Sequence, residues 1–550
     1  MHTKQPPLIL GILVILLFAS ACGGAATTEK PVAPTARFEP AAPEEPAAPA
    51  EPFYAGEPEM QQEQAPAYAG RDESYSQSQP LAPGKSDYPE GNEPYDMFFD
   101  DYGVNPIIDT EDDHLSTFAL DVDTGSYTVM RNYINDGYLP PEESVRVEEY
   151  VNYFEQGYAS PPAHQAFGIY VDGAPTPFSE TERYQMLRIG LQGYDVSERE
   201  RKDVSLTFVI DISGSMDMDN RLGLVKRSLE LLVEGLRPSD RVGIVVYGSE
   251  ARVLLDPTPA SRKGRILRAI YSLRTEGATN AEAGLRLGYK MAMHAYEPDS
   301  VNRVILCSDG VANVGRTEAD AILGEVHGYV EEGVTLATFG FGMDNYNDTL
   351  MEQLADNGDG FYAYVDDLGE AKRLFVDDLT STLQTIAMDA KVQVDFNPEV
   401  VSRYRLVGFE NRDVADEDFR DNRVDAGEIG AGHSVTALYE LKLYPEAYGQ
   451  IATVYMRWED PDTRQVVEIS KDFYVSDLDR EFHDADPYFQ RAVVVAEYAE
   501  ILRDSYWAQH SDLDAVYEEA QWLNEYLYRD EAMREFVELV GQARRISGWW

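Results

Sequence analysis

Buried-strand patterns alternate with amphipathic-helix patterns through the middle of the chain. Apolar runs at 206–210, 242–247, 301–307 and 334–340 predict buried strands. Helical patterns follow the runs, and the first places apolar residues on one face at Leu222, Val225, Leu229, Leu232 and Leu236. This alternation predicts an α/β domain at 203–389, built on a doubly wound, mainly parallel sheet.

Alternating strand patterns flank the α/β domain on both sides. Two strands are predicted at 167–172 and 184–192, within the segment 166–202. A further set, in the segment 390–480, is predicted at 391–396, 404–409, 434–443, 451–458 and 466–475. Because the termini of an α/β domain tend to lie near each other, we expect both sets to form one β-sandwich with the α/β domain inserted.

Helical patterns predominate at the two outer ends of the folded region. The segment 109–165 predicts a small α/β unit of its own, with one strand and two helices. The segment 481–550 predicts a helical tail, with helices at 488–504, 513–528 and 532–546. We also expect one helix over 368–388 as the last element of the α/β domain.

Three polar segments are candidates for a metal site. Asp211, Ser213 and Ser215 follow the first buried strand, Thr279 precedes a helix, and Asp309 follows the strand at 301–307. In an open α/β sheet such positions gather at the carboxyl ends of the strands. Hydroxyl and carboxylate oxygens are the ligands that Mg²⁺ prefers. Helix capping by the two serines is the alternative interpretation of the first segment.

These five residues together resemble the metal-ion-dependent adhesion site of von Willebrand factor type A domains, of which integrin I domains are familiar members. The resemblance implies that Asp211, Ser213, Ser215 and Thr279 hold Mg²⁺ directly or through water, with Mn²⁺ or Ca²⁺ as alternatives. It implies that Asp309 acts at least through water, and that an Asp or Glu of a protein partner completes the coordination. The family commonly has glycine at the position before Thr279, where this chain has alanine.

The first 22 residues predict a targeting signal. Lys4 precedes an apolar run at 8–18, which is too short to span a bilayer, and Ala19-Ser20-Ala21 then leads into Cys22. This resembles a bacterial lipobox, which implies lipidation at Cys22, a membrane anchor and a place in the cell envelope. Gly23 favours the outer membrane in a Gram-negative cell. An uncleaved anchor and an ordinary signal peptide are the alternatives.

Residues 23–108 are rich in Ala, Pro, Glu, Gln, Ser and Tyr and predict a disordered tether, because few branched aliphatic side chains are available for burial. The whole chain carries 98 acidic against 46 basic side chains, a formal net charge of −52. Such a charge argues against nucleic-acid binding. The glycines at 310–317 are spaced like a phosphate loop, but Arg316 stands where that motif needs lysine, so we expect no nucleotide.

Motifs for catalysis are missing from the sequence. The chain has neither a His-Glu-x-x-His zinc helix nor a Gly-x-Ser-x-Gly nucleophile turn, so we do not expect an enzyme. The segments 109–165 and 424–433 resemble the regions that flank the type A domain in a set of bacterial lipoproteins. We therefore expect an envelope lipoprotein that binds a protein through a bridging cation. An assembly or chaperone-like component working with an ATPase and a structural envelope protein with a stabilising metal are the alternatives.

Overall fold

The computed structural model describes residues 95, 97–162, 165–179, 183–197, 199–310, 324, 326, 328–330, 332–343 and 346–548. The predicted signal peptide, Cys22 and the part of the predicted tether before residue 95 lie outside the described residues. So do residues 311–317 of the glycine-spaced loop.

The strands fall into four groups by chain position. The strands before the α/β domain are β1 Met97–Phe98, β2 Ile108–Asp109, β3 Leu115–Ala119, β4 Phe167–Pro175 and β5 Tyr184–Gly193. The first strands of the domain are β6 Val204–Asp211, β7 Arg241–Tyr247 and β8 Ala251–Pro259. Its later strands are β9 Val301–Ser308, β10 Thr335–Gly340, β11 Tyr346–Asn347 and β12 Tyr362–Tyr364. The strands after it are β13 Thr385–Phe396, β14 Val401–Val407, β15 Gly427–Gly430, β16 Ser434–Leu443, β17 Gln450–Glu459 and β18 Val466–Tyr474.

The helices with described bounds occur before, within and after the α/β domain. Those before it are α1 Gly125–Asn135 and α2 Val147–Asn152. Those within it are α3 Arg221–Gly235, α4 Lys263–Ser272, α5 Ala281–His294, α6 Asp348–Asp356, α7 Leu368–Lys372 and α8 Leu379–Leu383. Those after it are α9 Pro487–Leu502, α10 Leu513–Tyr526 and α11 Glu531–Ile546.

The α/β domain is built on a six-stranded sheet in the order β12-β10-β9-β6-β7-β8. All neighbouring strands are parallel except the edge strand β8, which runs antiparallel to β7. Alternate side chains of β6 enter two different cores, with Phe208 facing α3 and α4 and Val209 facing α5. Helices thus cover both faces, which confirms the predicted doubly wound architecture.

A β-sandwich packs its two sheets around one apolar core. One sheet has the order β2-β14-β16-β5-β4, and the other has β15-β13-β17-β18 with β3 also paired to β13. Strand β5, before the α/β domain, pairs antiparallel with β16, after it, in a register that includes Leu187 opposite Tyr439. The chain therefore leaves the sandwich after β5 and re-enters it at β13, as the insertion prediction requires.

The N-terminal segment is more integrated than the sequence predicted. Strand β3 pairs with β13 and β2 pairs with β14, so this segment contributes strands to both sheets instead of forming a unit of its own. Ordered structure also begins before residue 108, because β1 pairs with β11 and Met97 packs against the α/β core. The end of the predicted tether has few apolar residues, but these pack against the α/β domain.

The prediction of a single helix over 368–388 is wrong. The structure has α7, a π-helical turn at Arg373–Asp377 and then α8, which ends at Leu383. Residues from Thr385 onward already belong to β13. Pairing with β15 and β17 supplies this stretch with backbone partners that a helical pattern in the sequence cannot reveal.

The C-terminal helices pack against the N-terminal helices in one helical core. Tyr127 and Tyr150 of α1 and α2 share this core with Tyr498 of α9 and Phe536 of α11. The rings of Tyr498 and Phe536 meet edge to face with their centroids 5.4 Å apart. Within the described part of the chain, no helix is long and apolar enough to cross a membrane.

Candidate metal centre

The candidate metal loop begins where β6 ends. Every residue of β6 is buried, and its last residue, Asp211, has no exposed surface. One carboxylate oxygen of Asp211 accepts a hydrogen bond from the backbone N–H of Ser213 at 2.8 Å. The other oxygen accepts one from the Ser308 hydroxyl at 3.1 Å, at the end of the neighbouring strand β9. The carboxylate is thereby oriented across two adjacent strand ends.

Ser213 and Ser215 place their hydroxyl oxygens side by side, 3.0 Å apart. Ser213 is buried and Ser215 is half-buried. Ser213 precedes the short 3₁₀ turn Gly214–Asn220, and its side chain makes no capping hydrogen bond there. Helix capping therefore does not account for Ser213, and the two hydroxyls lie beside the Asp211 carboxylate as the metal hypothesis requires.

The turn before α5 brings Thr279 to the same edge of the sheet. The backbone N–H of Glu276 donates to the carbonyl of Ile212 at 2.5 Å. The N–H of Gly214 donates to the carbonyl of Gly277 at 3.2 Å. These bonds tie the turn to the metal loop. Thr279 is half-exposed in this turn.

Glycine and asparagine shape this turn. Gly277 has a φ of +79°, and a Cβ at this position would lie 2.6 Å from Ser249 Oγ, so a larger residue would be both strained and obstructed. Asn280 begins α5 by accepting a hydrogen bond from the N–H of Ala283 at 3.1 Å. The position of Thr279 is therefore determined by its neighbours on both sides.

Asp309 is buried beside an arginine that the sequence did not reveal. Arg221, at the start of α3, donates from Nη1 to Asp309 Oδ2 at 3.0 Å, and both side chains are 4% exposed. Gly342 makes room for this arginine, because a Cβ there would lie 2.2 Å from Arg221 Nε. An Asp309 carboxylate already bonded to arginine fits a contact with the ion through water better than a direct one.

Ser308 and Arg221 are the two contacts that the sequence analysis missed. Ser308 stands directly before Asp309, so its proximity to the site could have been found from the strand end. Arg221 gives no such signal, because one arginine at the start of an amphipathic helix has the pattern of a surface residue.

The site contains more buried negative charge than positive charge. Burial, followed by the charge of Asp309, raises the pKa of Asp211 to about 6. Burial also raises the pKa of Asp309, although hydrogen bonds from Ser215 and Arg221 oppose that effect. Two buried carboxylates thus face one guanidinium. A bound divalent cation would supply the missing positive charge.

The donor set fits a hard divalent cation. Asp211 and Asp309 offer carboxylate oxygens, and Ser213, Ser215 and Thr279 offer hydroxyl oxygens. Such all-oxygen sets suit Mg²⁺, Mn²⁺ and Ca²⁺ and do not suit metals that prefer thiolate or imidazole. The described residues around the loop contribute neither cysteine nor histidine to this set.

A separate cluster of three carboxylates lies where the α/β domain meets the sandwich. Carboxylate oxygens of Asp359, Asp425 and Glu428 all lie within 4.8 Å of one another. Burial, followed by the charges of Asp359 and Asp425, raises the pKa of Glu428 well above its ordinary value. Asp359 precedes β12, at the amino end of the parallel strands, so this group is separate from the loop that follows β6.

Family models match almost the whole of the described chain in separate pieces. The model of the von Willebrand factor type A domain matches residues 205–377. A second model, described as von Willebrand factor, matches residues 93–187. The C-terminal model of the uncharacterized protein YfbK matches residues 381–447 and 444–546.

Similar proteins agree with these matches. The uncharacterized protein YfbK of Escherichia coli K12 is 40% identical over 381 residues, which are 68% of this chain and 64% of that protein. The protein sll0103 of Synechocystis is 30% identical over 37% of this chain and 46% of its own length. The chain thus spans less than two thirds of either relative.

Among solved structures, a von Willebrand factor type A protein from Catenulispora acidiphila covers 70% of this chain and 91% of its own, with 15% identity and a TM-score of 0.43. The family assignment therefore comes from the sequence models and from the strand order described above. The mainly parallel six-stranded sheet with helices on both faces coincides with the matched residues. The chain is a protein with a von Willebrand factor type A domain.

Proposed function

We propose that this protein binds a protein partner through a divalent cation, as an interaction or adhesion module of the cell envelope. Asp211, Ser213 and Ser215 would hold Mg²⁺, with Thr279 on the open side and Asp309 acting through water. A carboxylate of the partner would complete the coordination. The observation that carries the proposal is the pair of hydroxyls 3.0 Å apart beside the buried Asp211 carboxylate.

The arrangement favours a partner carboxylate for reasons of charge. One directly bound carboxylate leaves a divalent ion with excess positive charge, so an outside anion gains affinity. Thr279 is half-exposed, which leaves that side of the site accessible to a partner. Arg221 keeps Asp309 engaged, so this second carboxylate does not fully neutralise the ion.

Metal binding is the first test. Mg²⁺ or Mn²⁺ should raise the melting temperature of the full chain, because a ligand of the native state stabilises it by about 2.7 kcal/mol at 100 times its dissociation constant. The substitution Asp211→Ala should remove most of this response. Asp299→Ala, at an exposed carboxylate outside the site, serves as the control and should respond like wild type. An undiminished response in Asp211→Ala would refute the assignment.

Capture of envelope proteins with and without chelator separates the proposal from its structural alternative. We expect a bound partner that is lost with EDTA and lost equally with Asp211→Ala. If the ion raises the melting temperature but changes no capture, the metal only stabilises the fold.

Lipid attachment at Cys22 would place this module at a membrane. Metabolic labelling with a fatty acid should mark the wild-type chain and leave Cys22→Ser unlabelled, because Cys22 is the only cysteine besides the buried Cys307. Equal labelling of both proteins would contradict the anchor.

A further inference from the structure

A basic surface stands out on this acidic protein. The residues from 257 to 275 contain five lysines and arginines and no acidic residue, although the chain as a whole has a net charge of −52. Four of the five are clustered at the start of α4. We call this cluster the basic face, and its members are Arg262, Lys263, Arg265 and Arg268.

Three arginines of the basic face are exposed and without an ion-pair partner. Arg262, Arg265 and Arg268 are exposed, and among the described residues no carboxylate lies within 4.0 Å of their guanidinium groups. Lys263 differs, because it pairs with Glu234 of α3 at 3.7 Å. These three positive charges therefore form no ion pair within the described part of the fold.

Two other arginines of this protein are buried in ion pairs. Arg146 lies within 4.0 Å of three buried carboxylates, those of Glu149, Asp348 and Glu352. Arg201 is 1% exposed and pairs with Asp240. In contrast, Arg262, Arg265 and Arg268 follow one another at three-residue steps, from the 3₁₀ turn before α4 into that helix, and their unpaired charges are available to an outside anion.

The basic face is open and shallow. Its residues line a depression of about 690 Å³ together with Pro238, Ala260, Ser261 and Gly264. Gly264 carries no side chain, and a Cβ there would lie 3.6 Å from Arg268 Nη1, so the guanidinium lies across the glycine. A broad and shallow basic surface of this kind suits a planar anionic layer better than a single inserted side chain.

The electrostatic potential near the basic face is positive, although the chain as a whole is negatively charged. At physiological salt the Debye length is about 8 Å, so distant carboxylates contribute little at this surface. The first turn of α4 contains no acidic residue, and the helix dipole adds positive potential there. Two acidic side chains of α3 contact this region, where Glu234 pairs with Lys263 and Glu230 bonds to Tyr271.

The basic face and the metal loop lie at opposite edges of the sheet. Strand β8 ends at Pro259, opposite Arg241 at the start of β7, and α4 follows after a 3₁₀ turn at Ala260–Arg262. Asp211 instead lies opposite Tyr247, at the end of β7. A surface that is held by the basic face would therefore leave the metal loop pointing away from it.

We propose that the basic face binds an anionic lipid surface and orients the domain on it. Arg262, Arg265 and Arg268 would contact lipid phosphates, and Tyr271, one turn further along α4 and 46% exposed, would place its ring at the interface. Each basic residue near an anionic membrane contributes roughly a fivefold gain in binding. One acyl chain with a basic patch is a known route to stable attachment, so the basic face would complement lipidation at Cys22.

Vesicle binding tests this proposal without the acyl chain. Protein beginning at residue 23, which lacks the predicted signal peptide and Cys22, is mixed with vesicles of phosphatidylcholine alone or with one third phosphatidylglycerol, and the bound fraction is measured by flotation. We expect binding to the anionic vesicles only, weakened by added salt. Arg262→Gln, Arg265→Gln and Arg268→Gln combined should lower the partition coefficient on the order of 100-fold.

A charge-matched control makes the test specific. Arg199→Gln, Arg529→Gln and Arg545→Gln combined remove the same charge from exposed arginines elsewhere and should bind like wild type. Equal loss in both triple variants, or no preference for the anionic vesicles, would overturn the proposal. Binding of a polyglutamate peptide without vesicle binding would overturn it in favour of an acidic protein segment. The result is independent of the metal loop, because Asp211→Ala should leave vesicle binding unchanged.

Discussion

The oxygen atoms of the metal loop are held in place by backbone contacts as much as by side chains. The N–H of Ser213 binds the Asp211 carboxylate, so the peptide after the strand turns back towards it. This local turn brings Ser215 into line with Ser213. The side chains of Asp211, Ser213 and Ser215 are therefore gathered within a single loop, which explains why the proposed cation site could be predicted from a short sequence.

Glu497 shows how the surroundings of a side chain change its acidity. It lies on α9 and accepts a hydrogen bond from the Ser511 hydroxyl. Burial raises the pKa of its carboxyl from an ordinary 4.5 to about 8, although the Ser511 hydrogen bond opposes the shift. A group with a raised folded-state pKa contributes stability that is present below pH 4.5 and is lost as the pH rises towards 8.

Glu497→Gln should remove this pH dependence. We expect the variant to lose less stability than wild type between pH 4.5 and 8, and to exceed it at pH 8 by on the order of 3 kcal/mol. Urea unfolding across this pH range measures the difference. Glu525→Gln, at an exposed position on α10, is the control and should follow the wild-type curve. Parallel curves for Glu497→Gln and wild type would contradict the assignment.

At the scale of elements, one buried ion pair connects the first strand of the α/β domain with the second. Asp240 precedes β7 and is fully buried, and both of its oxygens accept hydrogen bonds from Arg201, at 2.6 and 3.2 Å. It also accepts the backbone N–H of Val204, the first residue of β6, at 3.0 Å. The pair therefore lies at the point where the chain passes from the sandwich into the α/β domain.

Asp240→Ala should destabilise the protein by about 3–5 kcal/mol, because it leaves the buried guanidinium of Arg201 without its carboxylate. Chemical denaturation gives the free energy of unfolding. Asp203→Ala breaks the neighbouring pair with Arg237, in which the aspartate side chain is 46% exposed, and should cost about 1 kcal/mol or less. Equal losses in the two variants would show that burial does not determine the strength of these pairs.

At the scale of the whole molecule, buried charges join parts of the fold that are distant in sequence. Arg412 follows the sandwich strand β14 and lies 2.9 Å from Asp121 in the N-terminal segment. Its guanidinium also lies 3.0 Å from Glu352 and 2.9 Å from Asp356, both on α6 of the α/β domain. One side chain thus connects three regions through charge-assisted contacts.

Arg412→Ala should weaken the coupling between these regions. We expect a loss of about 3–5 kcal/mol, because the buried Asp121 loses its arginine and the buried Glu352 keeps only Arg146. Scanning calorimetry should also show the single melting transition broaden or split as the regions unfold less cooperatively. Arg423→Ala, at a side chain that is 88% exposed, should leave the trace unchanged. A sharp and unshifted transition in Arg412→Ala would contradict this role.

The sequence by itself determined the features that depend on local pattern. Alternating strand and helix periodicity predicted the α/β domain, because each of its buried strands and amphipathic helices carries its own periodic signal. The two strand sets predicted a sandwich, and the pairing of β5 with β16 confirms that it is continuous across the inserted domain. The candidate metal residues were found because Asp211, Thr279 and Asp309 each lie directly after a strand or before a helix.

Only the tertiary structure decided the features that depend on contacts between distant segments. The entry of β2 and β3 into the sandwich, and the change from helix to strand near Thr385, follow from pairing with partners hundreds or tens of residues away. The same holds for Arg221, whose role beside Asp309 depends on space left by Gly342. Hydrogen bonds and packing between distant segments have no local signature, so the sequence could not reveal them.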